Sequence, residues 1–300
     1  MQPASETSAR CAGTAAGTLA RAAGQVAERI YLQELKGPGV HNDQRQVEGY
    51  LPLLRAVASE NRAAMRAAVT RLIYSRTHIV RLRVSSPRGA IVDVGGPYII
   101  APAGGTLRLH RRTVGRYLLS VQDDLGYVKL ETRFLGIPVA LFSGNHALPI
   151  EGTAPVVSAN EPQLAPVNYR GASAEAFSFT ARAFPSGSLR VTLLVPPQRV
   201  SGATVCDAAR AIELGLIAER IWSRYALASA RPAVIVRAIA RLTGALTFAR
   251  GGSAQLAGSA WPWPSALPAG GTLRYRGHTY HVTSFTARAG RRAIRVYLLV

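Results

Sequence analysis

An imperfect internal repeat constrains this chain more than any other feature. Tyr169-Arg170-Gly171 returns as Tyr275-Arg276-Gly277, and Phe179-Thr180-Ala181-Arg182-Ala183 returns as Phe285-Thr286-Ala287-Arg288-Ala289, both at an offset of 106 residues. The segment from Arg190 to Val195 returns from Arg295 to Val300 at an offset of 105, one residue being lost in the intervening turn, where loss is tolerated. Upstream, Ala27-Glu28-Arg29-Ile30 returns as Ala218-Glu219-Arg220-Ile221 at an offset of 191. The interval from this tetrad to the FTARA segment is 152 residues in the first copy and 67 in the second, which is therefore 85 residues short. The missing part matches about Leu51 to Gly136. A second PAGGTLR segment, Pro268 to Arg274 after Pro102 to Arg108, has an offset of 166 that fits neither series and reads as a reused turn. The shortened copy, about 204–300, keeps a helix, a linking helix and three strands. Three strands need a packed helix or neighbour, so it is expected to dock on the first.

Periodicity fills in the first copy. Leu19, Ala23, Val26 and Ile30 recur at helical spacing and predict a helix over about Thr14 to Lys36, ended by Gly37-Pro38-Gly39. A second helical stretch follows Tyr50, and Asn61 reads as the N-cap of a helix carrying Met65, Ala68, Val69, Leu72 and Ile73. At His78 the period becomes two. His78 to Val84 and Ala90 to Val94 alternate around the turn cluster Ser85 to Gly89. A register in which paired numbers sum to 174 puts Arg81 opposite Asp93. Gly105 to Gln122 forms a second hairpin, turning near Arg111-Arg112. Val128, Leu130, Thr132 and Phe134 then read as a further strand after a turn at Asp123-Asp124, pairing Leu119 and Val121 with Leu130 and Val128. Strands at Val139 to Phe142, Ala176 to Ala183 and Leu189 to Val195 complete the set. Helices followed by hairpins imply an α+β fold with helices on an antiparallel sheet. The 48% hydrophobic content over 300 residues suffices for a core, and 28 Gly with 18 Pro fit a turn-rich chain.

Charge and cysteine are less informative. Lys+Arg is 36 against 16 Asp+Glu, a net charge of +20, yet Lys36 and Lys129 are the only lysines. An arginine-only excess beside much Ala and Gly reads first as the mark of a GC-rich gene. Cys11 and Cys206 match no zinc spacing and no disulfide framework. No stretch reads as a membrane span, because the 23-residue uncharged run Gly251 to Leu273 is interrupted by Gly, Pro and Ser, and the N-terminus reads as a poor export signal, with no basic region before its small-residue run.

The segments THIVRLRV, IVDVGGPYIIAPAGGTLR, VGRYLLSVQDDLGYVKL and FSFTARAFPSGSLRVTLLVP resemble the PAS-like Cache (PDC) sensor domains of actinobacteria. The resemblance implies a flexible leader over 1–19, a sensor domain over 20–197, and a truncated Cache-like repeat over 198–300. It also implies a long N-terminal helix on an antiparallel sheet, an extracytoplasmic location, and a small-molecule ligand such as an amino acid or organic acid. A homodimer through the N-terminal helix is a further expectation.

No nucleophile sits beside a base, and neither the G-x-S-x-G elbow nor the GxGxxG order is present, so a binding module rather than an enzyme is expected, without cofactor or metal. His278 and His281 would face opposite sides of a strand, which argues against zinc. Arg81 and Asp93 could clasp a zwitterion or form a cross-strand ion pair. Tyr98 and Tyr117 could line a pocket or pack the sheet. Asp123 and Asp124 could hold a ligand amine or be turn residues. The alternative function is anion or nucleic-acid binding by the C-terminal unit, since residues Ile221 to Val300 hold 11 Arg and no Asp or Glu, with Arg274-Tyr275-Arg276 mixing charge and ring.

Overall fold

Thr14 opens the first helix by accepting the Gly17 N–H on its hydroxyl at 3.0 Å. The computed structural model describes residues 14–75, 77–148, 162–169, 171–196, 206–228, 230–252, 254–258, 263–264 and 266–300. Helix α1 (Ala15–Lys36) buries the expected stripe of Leu19, Ala23, Val26 and Ile30. Gly37 ends it, but Pro38 then serves as the first residue of α2 (Pro38–Gly49), so the Gly-Pro-Gly stop is a corner between two helices. Helices α3 (Leu51–Ala58) and α4 (Arg62–Tyr74) follow, the latter capped by Asn61, whose side chain accepts the Ala64 N–H at 3.0 Å.

Strands β1 (Arg81–Ser85), β2 (Ile91–Gly95), β3 (Pro102–Leu109) and β4 (Arg112–Ser120) form an antiparallel sheet in the order β2-β1-β4-β3. Leu82, Val84, Val92, Leu107 and Leu119 pack against Leu53, Val57, Met65, Val69 and Leu72, giving this unit its own core. The β1–β2 register differs from expectation by two. Leu82 faces Val94 and Val84 faces Val92, a sum of 176 instead of 174, and Arg83 rather than Arg81 stands opposite Asp93. The cause is a tighter turn, in which the Ser86 N–H donates to the Ala90 carbonyl at 2.9 Å and Ser86 Oγ accepts the Ala90 N–H at 3.1 Å. A slip of two preserves which face each side chain occupies, so the core face is unchanged.

The strand expected after Asp123-Asp124 is a helix, α5 (Asp124–Leu135). Asp123 is its N-cap, accepting the Gly126 N–H at 2.6 Å, and the buried residues Tyr127, Val128, Glu131, Phe134 and Leu135 follow helical spacing. Gly136, at φ 66°, closes it in the left-handed conformation. Leu119 therefore pairs with Leu82 and Ala103, not with Leu130. Beyond α5, β5 (Val139–Ser143), β6 (His146–Ala147), β7 (Leu164–Tyr169), β8 (Ala172–Arg182) and β9 (Ser188–Val195) make a five-stranded antiparallel sheet, ordered β6-β5-β9-β8-β7.

The C-terminal part contains α6 (Cys206–Leu227), α7 (Pro232–Thr243), β10 (Leu246–Gly251), β11 (Ala254–Gly258), β12 (Gly270–Tyr275), β13 (His278–Ala289) and β14 (Arg292–Leu299). Its sheet runs β11-β10-β14-β13-β12, the same order counted along the chain as in the first five-stranded sheet. Five strands stand where the repeated segments pointed to three, because β10 and β11 carry no repeated residues. Helices α5 and α7 each precede a sheet and each end on a left-handed glycine, Gly136 and Gly244. What the C-terminal part lacks is thus α2 to α4 with β1 to β4, not the segment from Leu51 to Gly136.

The two five-stranded sheets enclose α1 and α6. Leu19, Val26 and Ile30 of α1 and Leu214, Ile217 and Ile221 of α6 join Leu141, Phe179 and Val191 on one sheet and Ala249, Ile294 and Val296 on the other in one continuous cluster. Each helix touches its sheet through a glycine. A Cβ on Gly24 would lie 2.0 Å from Phe177 Cδ1, and one on Gly215 would lie 2.7 Å from Thr283 Oγ1. The helical pair differs by 191 and the strand pair by 106, the offsets of the sequence repeat. The fold is α+β of the PAS/Cache-like kind. Cys206 at the start of α6 is disulfide-bonded, against the expectation from cysteine spacing. The chain's other cysteine, Cys11, lies with most of the expected leader outside the described residues. Among the described residues no helix is long and apolar enough to cross a membrane.

Candidate functional site

Strand parity fixes what the four-stranded sheet shows on the face away from its helices. Since Leu82 and Val84 point to the core, Arg81, Arg83 and Ser85 point outward. Their cross-strand partners bring Asp93 from β2 and Arg116 and Leu118 from β4 to the same face, and Thr106 of β3 pairs with Arg116.

Arg81 is fully engaged there. Its Nε and Nη2 donate to the two carboxylate oxygens of Asp93 at 3.0 Å each, and Nη1 donates to the Tyr98 carbonyl at 3.3 Å. Its guanidinium carbon stands 4.4 Å from the centroid of the Phe184 ring, on the β8–β9 connection. A fork-to-fork pair with both side chains no more than 25% exposed is held more firmly than a surface ion pair. Tyr98 contributes its carbonyl to this cluster. Asp124 lies beside it, accepting the Ile99 N–H at 3.1 Å. Burial raises the Asp124 carboxyl above its ordinary value, and the Ile99 N–H opposes that shift. Asp123 is committed to the α5 cap. Tyr117 faces the core and donates to Glu48 Oε1 at 2.8 Å. Burial first, and the Glu48 carboxylate second, raise its phenol. Gly105 makes that bond possible, since a Cβ there would lie 2.6 Å from the Tyr117 hydroxyl.

Arg81, Asp93, the Tyr98 carbonyl and Asp124 thus come together, while Asp123 and Tyr117 serve other contacts. The open groove lies next to this cluster. It encloses about 480 Å³ and is lined by Arg83, Ser85, Thr106, Arg116, Leu118 and, from the end of β8, Arg182, and Tyr117 also reaches its wall although its hydroxyl is bound to Glu48. Asp93 Oδ2 is 3.8 Å from Arg83 but is already held by Arg81. Arg116 and Arg182 are exposed and have no carboxylate partner among the described residues. The groove can therefore accept an anion through guanidinium forks, with two hydroxyls and one leucine at hand. Sequence reasoning missed Arg83, Arg116 and Arg182. The alternation Arg81-Leu82-Arg83 already placed Arg83 outward, but Arg116 and Arg182 needed the pairing of β4 with β1 and the approach of β8. Among the described residues no cluster of His, Cys, Asp or Glu side chains has the makings of a metal site.

Of the C-terminal arginines, Arg274 and Arg276 are exposed on β12 and the turn after it, whereas Arg250 is buried and donates to the Pro264 and Trp263 carbonyls at 2.6 and 3.1 Å. Trp263 in turn stacks on Phe248 with ring centroids 5.4 Å apart.

No protein-family model and no curated relative matches this sequence. Solved structures are similar to part of it. The ligand-binding domain of the Pseudomonas fluorescens chemoreceptor CtaA, in complex with L-isoleucine, is 13% identical over 58% of this chain and 88% of its own, with a TM-score of 0.33. The ligand-binding domain of the Pseudomonas aeruginosa amino acid chemoreceptor PctC, in complex with GABA, is 14% identical over 56% and 99%, with a TM-score of 0.28. The extracellular domain of a histidine kinase is 8% identical over 60% and 95%, with a TM-score of 0.37.

Proposed function

We propose that this chain is a non-catalytic, small-molecule-binding module of the sensor type, and that its ligand is a small carboxylate, an amino acid or an organic acid, held in the arginine groove. The convergence of Arg83, Arg116 and Arg182 on one groove without an acidic lining residue carries the reading. The Arg81–Asp93 pair and Asp124 form its rigid flank, so the pair is part of the scaffold and Arg116 and Arg182 are the ligand's partners. The common strand order and the two glycine contacts support a duplicated ancestry, in which 198–300 is a truncated copy of the sensor domain at 20–197. The Cys206 disulfide supports work in an oxidising compartment outside the cytoplasm, where such bonds persist.

Calorimetric titration of the full chain with amino acids and dicarboxylates tests the ligand class. Binding is expected to weaken in Arg116→Ala by about tenfold or more, the loss of one charge-assisted contact. If no compound binds at millimolar concentration, or if Arg116→Ala and Arg182→Ala leave affinity unchanged, the groove is not the site.

A further inference from the structure

A second cleft has the opposite chemistry. The chain enters the four-stranded unit at the α1–α2 corner and leaves it through Val121 and Gln122, between β4 and α5. At this neck lies a cleft of about 270 Å³, with polar groups from Gln33, Glu34, Asp43, His78 and Gln122. No lysine or arginine lines it, although the chain carries a net charge of +20. Asp43 is 1% exposed. Its Oδ1 accepts the His78 N–H at 3.5 Å, and its Oδ2 has no hydrogen-bond partner. Gln33 Nε2 is likewise buried without an acceptor, while its Oε1 takes a bond from Arg241 at 3.4 Å. Both residues line the cleft, so a buried carboxylate oxygen and a buried amide N–H stand without partners in its wall, which is costly unless something meets both.

We infer that this neck cleft is a binding site for a small primary amine, its ammonium held by Asp43 and Glu34 and a neighbouring acceptor group of the ligand met by Gln33 Nε2. An ammonium satisfies what the cleft offers: it supplies donors to the orphan oxygen and charge to two carboxylates whose one basic neighbour lining the cleft is His78. Burial raises both carboxyls above their ordinary values, and at Asp43 the His78 N–H and imidazole oppose the shift. The site is separate from the arginine groove. Because its walls belong to both sides of the neck, an occupant would tie the four-stranded unit to the end of α1.

The test uses the full chain, 1,4-diaminobutane and ethanolamine as probes, and potassium chloride at matched ionic strength as control. Either amine is expected to raise the unfolding midpoint above the control, and titration calorimetry should give a dissociation constant that Asp43→Asn weakens by about tenfold or more. Gly39→Leu provides a variant independent of charge. A side chain at Gly39 meets open space on the protein side, so the free protein should melt normally while the cleft is blocked. The inference fails if neither amine raises the midpoint at about 10 mM, if potassium does so equally, or if Gly39→Leu binds as tightly as the parent.

Discussion

Replacing Gly24 by alanine sets two effects of known size against each other. Glycine in a helix interior is worse than alanine by about 1 kcal/mol, so at an open position the change would stabilise. Gly24 is not open: its added Cβ would stand 2.0, 2.2 and 2.6 Å from three carbons of the Phe177 ring, whereas ordinary contact begins near 3.4 Å. The ring or the helix must therefore move by about 1.4 Å, the difference between 3.4 and 2.0. Phe177 is 6% exposed and belongs to the shared core, so the motion propagates into packed neighbours. Overpacking of this kind costs about 1–3 kcal/mol, and a clash on a ring carbon belongs at the upper end. Net destabilisation of about 1–2 kcal/mol is expected after the helix gain is subtracted. Gly215→Ala meets Thr283 Oγ1 at 2.7 Å and Cγ2 at 3.0 Å, a milder clash than at Gly24, and should cost less than Gly24→Ala, while Gly39→Ala has open space and should stabilise slightly. Urea unfolding of the three variants, with Gly24→Ala repeated in a Phe177→Leu background, decides the matter. The reasoning is refuted if Gly24→Ala is as stable as the parent, or if removing the ring leaves its cost unchanged.

Three further outcomes follow from the same structure. The unreduced protein should carry no free thiol and an intact mass lower by two hydrogens than the reduced one; Cys206→Ser should lower stability by about 2–4 kcal/mol under oxidising conditions only, and a fully reactive thiol pair in the native protein would contradict the bond. Glu131 is completely buried on α5 with neither carboxylate oxygen hydrogen-bonded, and burial first, with Glu34 adding to it, holds its carboxyl well above its ordinary value despite the nearby Tyr127 hydroxyl. The folded state therefore keeps a proton that the unfolded chain releases, and this stability is whole below about 4.5 and is lost as pH rises through the raised value. Glu131→Gln should flatten the dependence of the unfolding midpoint on pH above about 4.5, and parallel curves for parent and variant would count against it. Residues 204–300 expressed alone should be molten or aggregated, since Ile217 and Ile221 of α6 lose the core they share with α1, and a sharp melt of that fragment would show an independent domain.

The sequence was most legible where one local pattern had no competitor. The Asn61 cap, the stripe of α1, and the alternation of β1 and β2 needed no tertiary information. The β1–β2 register was readable in parity but not in number, because the hydrogen bonds of Ser86 that tighten the turn leave no trace in the hydrophobic pattern. Helix α5 was misread because Val128, Leu130, Thr132 and Phe134 fit a period of two while Tyr127, Val128, Glu131, Phe134 and Leu135 fit 3.6. Asp123 followed by Gly126 was the cap that could have decided it. At the site, Arg81 and Asp93 were paired correctly as partners for the wrong reason, by a direct cross-strand position that Arg83 in fact occupies. Arg182 could not be found at all without knowing that β8 runs up beside the other sheet.

The comparison of the two halves bears on where ligands act. Both halves place a long helix on a five-stranded sheet through a glycine, and both put a shorter helix closed by a left-handed glycine before the first strand. They differ by the block from α2 to β4, which has its own core, is linked along the chain at the α1–α2 corner and through Val121–Gln122, and touches the rest where the Ala101 N–H donates to the Tyr31 hydroxyl and where Arg81 stands over Phe184. The arginine groove is built mainly from that block, with Arg182 the contribution from outside it. The neck cleft is built from the two crossings themselves. A half without the block has neither surface, and its shared core with α1 gives it a different task, that of holding the helix from which the block projects. A ligand in the groove would tie Arg83 and Arg116 to Arg182, across the boundary between block and sheet. A ligand in the neck would tie Asp43 to Glu34 across the same boundary from the other side. On the proposed reading, occupancy of either would change one mechanical quantity, the freedom of the block relative to α1.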